Sequence, residues 1–368
     1  MQVTLQRSDL LPVLQSVIGV VEKRQTMPIL SNVLLETLDN VLVVTATDLE
    51  LELIARCPAQ ISGTGSCTVP ARKLLDICRG LDRNSEISLT VTENQNLVRI
   101  KSGKSQFSLA MMRVDDWPRL DEVKTEREVK LQQSTLRSLL ERTYFAMANQ
   151  DVRYYLNGLL LVVSNSGIRS VATDGHRLAL SETPYQTEVD ETLQAIVPRK
   201  AINELVRLLG SDDEVLSLRI SDRHLRIELP EITLTTKLID GRFPDYERVI
   251  PEAAPNRLRA DRQILRQALS RTAILSNENY RGVRLTLSAD RLQLQAQNLD
   301  REEAKDEIAV DYNGEEFEIG FNISYLLDAL GALTQDDVTL DLAGSDSSGL
   351  IQADGDSSTR YVVMPMRL

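Results

Sequence analysis

The stretch Val171-Ala172-Thr173-Asp174-Gly175-His176-Arg177-Leu178 decides the reading of this chain, because its first half has a counterpart on either side in the sequence. Ala46-Thr47-Asp48 precedes it and Ala296-Gln297-Asn298 follows it, each at the end of a strand-like run. Other landmarks keep the same interval. Asn32 and Asn157 are 125 residues apart, Asp48 and Asp174 are 126, Gly158 and Gly282 are 124, and Pro244 and Pro365 are 121. Self-similarity at a fixed period is the mark of a repeated structural unit. With 368 residues the chain holds three units of about 120 residues, each large enough for its own core.

Each unit opens on a short strand running into a helix, at Val3-Thr4-Leu5-Gln6, Val129-Lys130-Leu131-Gln132 and Arg257-Leu258-Arg259-Ala260. Helical spacing puts Leu10, Leu14, Val17 and Val21 on the buried face of the first helix, with a start near Ser8-Asp9 and Pro12 in its first turn. The second starts at Ser134 with Leu136, Leu139, Leu140 and Thr143 inward. The third starts at Asp261 with Ile264, Leu265, Ala268 and Leu269 inward. Ser and Asp suit these starts because their oxygens accept unpaired helix amides. A second helix follows in each unit, after Pro70, after Pro198 and at Asn322, and Gly80, Gly210 and Gly331 mark the predicted stops. Leu216–Ile220 and Leu225–Leu229 alternate around Ser221-Asp222, which predicts a hairpin. The units close on Trp117-Pro118, Phe243-Pro244 and Met364-Pro365. The expected fold is α+β: three tandem repeats over 1–125, 126–252 and 253–368, each with two helices and antiparallel sheets.

Net charge is −12, from 42 Lys and Arg against 54 Asp and Glu, which alone speaks against a nucleic-acid binder. The positive charge, however, is gathered on helices. Segments 72–83 and 198–209 each carry +2, 262–275 carries +3, 7–24 and 134–149 carry +1, and only 322–333 is negative. Basic helices in an otherwise acidic chain predict one surface facing phosphate and another repelling it. Aromatics are only 4% of residues, against a binder that stacks bases. No apolar run reaches the roughly 18 residues of a membrane span. Met1-Gln2-Val3-Thr4 lacks a signal-peptide pattern, so the expected location is the cytoplasm.

Candidate chemistry is sparse. Cys57, Cys67 and Cys78 form no CxxC pair, and His176 and His224 lie far from them, so no zinc site is expected. Ser102-Gly103-Lys104-Ser105 resembles the end of a phosphate-binding loop, but Val98 stands where that loop needs glycine and no helix follows. The acids of Ser211-Asp212-Asp213-Glu214 read as a solvated turn. Asp174 and His176 are the one tempting acid–imidazole pair. Asp48-Leu49-Glu50, their counterpart, has no histidine, which favours a turn or a pocket wall over catalysis.

Several longer segments resemble one family. These are Gln150-Asp151-Val152-Arg153-Tyr154-Tyr155-Leu156-Asn157-Gly158, the stretch 171–178, Asp240-Gly241-Arg242-Phe243-Pro244-Asp245-Tyr246, Ala273-Ile274-Leu275-Ser276-Asn277-Glu278, and Tyr361-Val362-Val363-Met364-Pro365-Met366-Arg367-Leu368. In order and end to end, they are similar to the bacterial DNA polymerase III beta subunit, the sliding clamp family. The resemblance implies DNA-clamp-type repeats, a head-to-tail homodimer closed into a ring around double-stranded DNA, and no catalysis, cofactor or metal. Implied partners are the polymerase III catalytic subunit, the clamp loader, and other polymerases and repair proteins carrying short linear motifs. A nucleoid-associated cytoplasmic location goes with this.

By matched position, the resemblance implies DNA contacts from Arg24, Gln150, Arg153 and Tyr154, and the helix charge adds Arg72, Lys73, Arg199 and Lys200. It implies a partner pocket from Leu156, Thr173, Gly175, His176, Arg177 and Leu178, with Pro244, Arg248, Val249 and Tyr325, and with Ser348, Val362, Met364, Pro365 and Met366. Methionines suit a surface that accepts several ligands. Asp346 departs from the apolar residue common beside this pocket. The implied dimer contacts are Phe107, Ile274 and Leu275, and opposite charge adds the expectation that Lys104 and its basic strand face the acidic run around Glu302 and Glu303. Two other readings stay open on the residues alone: a protein-only adaptor that uses the pocket without DNA, and an enzyme using Asp174 and His176.

Overall fold

The computed structural model describes residues 1–22, 27–92, 96–120, 127–187, 189–251 and 254–367. Arg24 and the expected repeat bounds at 125/126 and 252/253 lie outside the described residues. Six α-helices appear among those described: α1 (Arg7–Val17), α2 (Ala71–Gly80), α3 (Gln133–Glu141), α4 (Arg199–Leu208), α5 (Arg262–Ala273) and α6 (Ile323–Ala332). None is long and apolar enough to cross a membrane.

Strands pair within the repeats and, at one place in each large sheet, between neighbouring repeats. One eight-stranded antiparallel sheet runs Arg127–Gln132, Val215–Ile220, His224–Glu228, Ile232–Lys237, Leu51–Pro58, Val41–Thr47, Asn32–Leu38, Ser66–Pro70. It joins the first repeat to the second where Leu234 faces Leu53. A second eight-stranded sheet runs Leu193–Pro198, Gly158–Val163, Gly167–Thr173, Arg177–Pro184, Asp356–Val363, Gly349–Ala353, Asp337–Leu342, Asn256–Asp261. There the second repeat meets the third, with Leu178 opposite Val362. Two smaller sheets remain. One ends on the edge strand Ser105–Ala110 and the other on Glu303–Ala309. The compact units follow the sheets. Met1–Gln133 with Arg207–Leu238 is one, and Ser134–Val206 with Ile239–Leu368 is the other, so the central repeat is divided between them.

Alternation along the strands accounts for the cores. In Gly282–Ser288 and Arg291–Gln297 the buried side chains Val283, Leu285, Leu287, Leu292, Leu294 and Ala296 fall on every second position. The hairpin around Ser221-Asp222 forms as expected, with Ile220 opposite Leu225. Ser102 pairs with Ser105 around Gly103 (φ +53), so the phosphate-loop look-alike is a hairpin turn. All three cysteines are buried, and burial pushes each thiol up from 9.0 to about 12. Burial in this way disfavours the thiolate that nucleophilic attack needs.

Several helix details differ from expectation. α1 begins at Arg7 and its N-cap Gln6 makes no side-chain bond, so Ser8 is inside the helix and does not cap it. Pro12 is therefore the sixth helical residue, and it offers no amide to the Ser8 carbonyl. The helix ends at Val17, and Val21 is buried beyond it. Ile264, expected inside, is 51% exposed; Thr272 takes the inward place at the other end of α5. Gly80, Gly210 and Gly331 have no positive φ and are not left-handed caps.

Arginines close the helix ends instead. Arg7, at the start of α1, donates to the Cys78 and Arg79 carbonyls at the end of α2 (2.6 and 3.3 Å). Arg262, at the start of α5 and only 9% exposed, donates to Leu330 near the end of α6 and to Gln335 (3.3 and 2.6 Å). Gln133 holds the equivalent place in the second repeat, where its side-chain oxygen accepts the Gly210 amide at 2.9 Å. A cation there satisfies orphan carbonyls and opposes the helix dipole.

The caps give a direct test. Asp261 accepts the Ile264 amide at 2.8 Å, so Asp261→Ala costs about 1 kcal/mol in urea denaturation. Ser8→Ala leaves stability within a few tenths of a kcal/mol. Equal losses would restore the start expected at Ser8.

Candidate functional site

The site grows from the turn that decided the fold. Thr173 Oγ1 accepts the Gly175 amide (3.1 Å), and Asp174 Oδ1 accepts the amides of His176 and Arg177 (2.9 and 3.0 Å). The first repeat builds the same turn. Thr47 Oγ1 accepts from Leu49 (3.1 Å), and Asp48 Oδ1 accepts from Glu50 and Leu51 (2.9 and 2.7 Å). Both turns put their third residue at positive φ, +78° at Leu49 and +89° at Gly175. In the third repeat the turn is longer, with Asn298 Oδ1 accepting from Glu302. Asp174 is thus engaged in turn geometry, and its other oxygen accepts Arg177 Nε at 3.2 Å. The acid–imidazole pair is a turn, which removes the basis for the enzyme reading.

Glycine at 175 serves a close approach as well. A β-carbon there would lie 2.9 Å from Arg153 Nη2. Arg153 belongs to the loop 150–157, which is tied together internally. Asn157 bonds the backbone of Asp151 in both directions (2.8 Å each), and the Asp151 carboxylate receives Arg153 Nε and Nη2 at 3.0 and 2.9 Å. Those bonds hold the Asp151 carboxyl down from 3.8 to about 2. Gln150 sits at φ +58, and Tyr154 is 62% exposed.

Beside this loop lies a cleft of about 190 Å³. It gathers Leu156, Thr173, Gly175, His176, Arg177 and Leu178 on one side with Pro244, Val249, Ser348, Val362 and Met364 on the other. Its floor continues into the apolar cluster of Leu160, Val171, Leu180, Ile196, Phe243 and Leu350. The Met364 amide donates to the His176 carbonyl (2.9 Å), which fixes the carboxy-terminal strand's exit on the cleft. A mostly apolar, partly open cleft with few polar groups suits a short apolar segment.

Four expected residues are not in the wall. Arg248 is exposed and pairs with Asp245 at 2.7 Å. Tyr325 lies against the Arg177 guanidinium, 4.4 Å from its ring centre, and Phe145 flanks the same group at 5.3 Å. Pro365 stands outside, and Met366, whose amide donates to Gly320, lines a separate cleft with Tyr280 and Arg284. Four unexpected residues take part: Arg153, Tyr155, Asp245 and Tyr246. Arg153 was expected at DNA instead, Tyr155 is next to Leu156, and Asp245 and Tyr246 are the two residues after Pro244. Asp346 is exposed two residues from Ser348.

The basic helix residues divide. Lys73 is exposed on α2. Arg72 donates to the Val21 carbonyl (2.9 Å), and Arg199 to Met147 (2.7 Å). Arg207 donates to Gln15 and Ser16, and Arg271 pairs with Asp306. Lys200 is half-buried. With Arg262 buried, the charge expected to face phosphate is partly internal. Lys104 and Phe107 mark the free edge Ser105–Ala110, with Lys104 exposed and Phe107 half-buried. Ile274, 77% exposed, and Leu275 follow α5. Glu302 accepts from Asn298 (2.6 Å), and Glu303 from Lys305 (3.1 Å) and Gln295, at the other free edge. Among the described residues no group of His, Cys, Asp and Glu could hold a metal.

Fold and cleft together define a three-repeat clamp subunit, and comparison with known proteins agrees. Models of the N-terminal, central and C-terminal domains of the DNA polymerase III beta subunit match residues 1–121, 130–245 and 247–367. The chain is 51% identical to the beta sliding clamp of Pseudomonas putida and 46% to that of Escherichia coli, over the full length of both partners. The crystal structure of the DNA polymerase sliding clamp from Pseudomonas aeruginosa with ligand is 48% identical, covers both chains fully and superposes with a TM-score of 0.96. Another from that organism, bound to griselimycin, also has a TM-score of 0.96. The chain belongs to the DNA polymerase III beta subunit family, the sliding clamps: non-catalytic processivity factors of DNA replication.

The Asp151–Arg153 pair predicts a titration. The folded carboxyl is depressed below its unfolded value, so its contribution is present above pH 3.8 and lost as pH falls through about 2. Carboxyl NMR of Asp151 gives a midpoint near 2, and Arg153→Ala moves it towards 3.8. An unchanged midpoint in Arg153→Ala would assign the shift to another group.

Proposed function

We propose that two copies of this chain close head to tail into a ring around duplex DNA, and that the cleft tethers the polymerase and other DNA-processing proteins by short apolar segments. The observation that carries the ring is that the first and the last repeat each hold a small sheet with an open edge strand. Ser105–Ala110 and Glu303–Ala309 each have one hydrogen-bonded neighbour, at opposite ends of the sequence. Edge strands left open invite pairing, and closure between copies removes them. Phe107, Ile274 and Leu275 supply apolar contact in this reading, and Lys104 faces Glu302 and Glu303 across the join.

Duplex DNA is held topologically, with phosphate contacts from Arg24, Lys73, Lys200 and the loop Gln150, Arg153 and Tyr154, and weaker ones from Arg72 and Arg199. Weak, sequence-independent contacts permit sliding. The repeats are bounded at 1–125, 126–252 and 253–368. The clamp loader opens the ring, and the protein works in the cytoplasm on the nucleoid. Griselimycin is bound to the Pseudomonas aeruginosa relative, and this reading assigns it to the cleft beside Met364 in this chain. The adaptor reading differs on one point, since it needs no DNA.

Light scattering gives a mass near twice the 41.2 kDa of one chain, persisting on dilution. The loaded protein stays on circular DNA and is lost when the circle is cut. A monomer at micromolar concentration, or equal retention on both DNAs, would sink enclosure. Separately, Lys104→Glu raises the dimer dissociation constant at low salt; an unchanged constant removes Lys104 from the join.

A further inference from the structure

Tyr246 and Asp245 form one wall of the cleft, yet the segment 240–250 that carries them is irregular apart from a short 3-10 turn at Glu247–Val249. Apolar and polar attachments hold it to the sheet, and Tyr246 and Ile250 pack against the same apolar cluster as Phe243. Phe243 packs into the apolar cluster beneath the cleft, with Tyr246 edge-on to it at 6.4 Å. The second kind is polar. Arg169, on the strand Gly167–Thr173, donates through Nη1 to the Tyr246 phenol oxygen at 2.8 Å and to Glu247 Oε1 at 3.1 Å.

Arg169 is itself fixed from behind. Its Nε donates to Glu182 Oε2 at 2.8 Å, and Glu182 sits directly opposite it on the next strand. The other Glu182 oxygen accepts Arg360 Nη2 at 2.8 Å, one strand further on. A charged row thus crosses three adjacent strands and ends on the cleft wall. Arg169 touches no part of the cleft itself; Tyr246 does.

We propose that Arg169 is a positioning residue for ligand binding, holding the Tyr246 wall at a set width so that a ligand meets a preformed cleft. Preorganisation raises affinity by removing the ordering that binding would otherwise require. This rests on the cleft being the partner site, so the test separates the two claims.

Griselimycin is the probe, titrated calorimetrically into the full-length protein. Arg169→Gln weakens it about tenfold, the scale of one charged hydrogen bond, while Glu182 keeps Arg360 and the fold survives. Tyr246→Phe weakens it similarly, and the double variant loses little more, because both remove one link. Amide hydrogen exchange over 243–250 quickens in Arg169→Gln, with dimer mass and melting temperature unchanged. Wild-type affinity with unchanged exchange in Arg169→Gln overturns the proposal. So do additive losses, which would mean that Arg169 acts apart from Tyr246. Failure of the wild type to bind overturns the cleft reading instead, and exchange over 243–250 still decides whether Arg169 anchors the wall.

Discussion

The antiparallel pairing of Arg177–Pro184 with Asp356–Val363 is the contact on which the rest of the site depends. It puts Leu178 opposite Val362 and so makes one apolar floor from residues far apart in the chain. Because side chains alternate across a strand, a shift of one residue would turn that floor to the other face. The turn at Asp174, the exit of the carboxy-terminal strand at Met364 and the loop at Pro244 then frame the floor from three sides.

Repetition and pairing pull in different directions here. Each repeat supplies two helices and a set of strands, but its strands complete sheets with those of the next repeat. The compact units therefore cut the central repeat in two. An interface made of backbone hydrogen bonds between central strands is directional, and it joins neighbouring repeats within one sheet.

Much of this was legible beforehand, and the reasons differ by element. The turn at Asp174 was readable because a carboxylate and a threonine hydroxyl satisfy backbone amides by local geometry alone. Asp261 was readable as a cap for the same reason. The start of α1 was not. Arg7 bonds residues more than 70 positions away, a tertiary contact with no local signature. Ile264 misled because apolar spacing does not say which face a neighbouring sheet will cover. Most of the cleft came from matched positions, but Tyr155 and Tyr246 were passed over. Their roles depend on ring placement, which neither charge nor spacing records.

The arginines at the helix ends change what the positive helices mean. Arg7 and Arg262 face carbonyls that carry the negative end of a helix dipole, and Arg72, Arg199 and Arg207 also point at backbone oxygens. Charge compensated in this way attracts a polyanion less than charge standing in water. In the proposed ring, with these helices facing the duplex, fewer condensed ions would leave the DNA than a tally of basic residues suggests, which would flatten the dependence of its hold on salt. A track with few deep minima offers little friction to a ring moving along it.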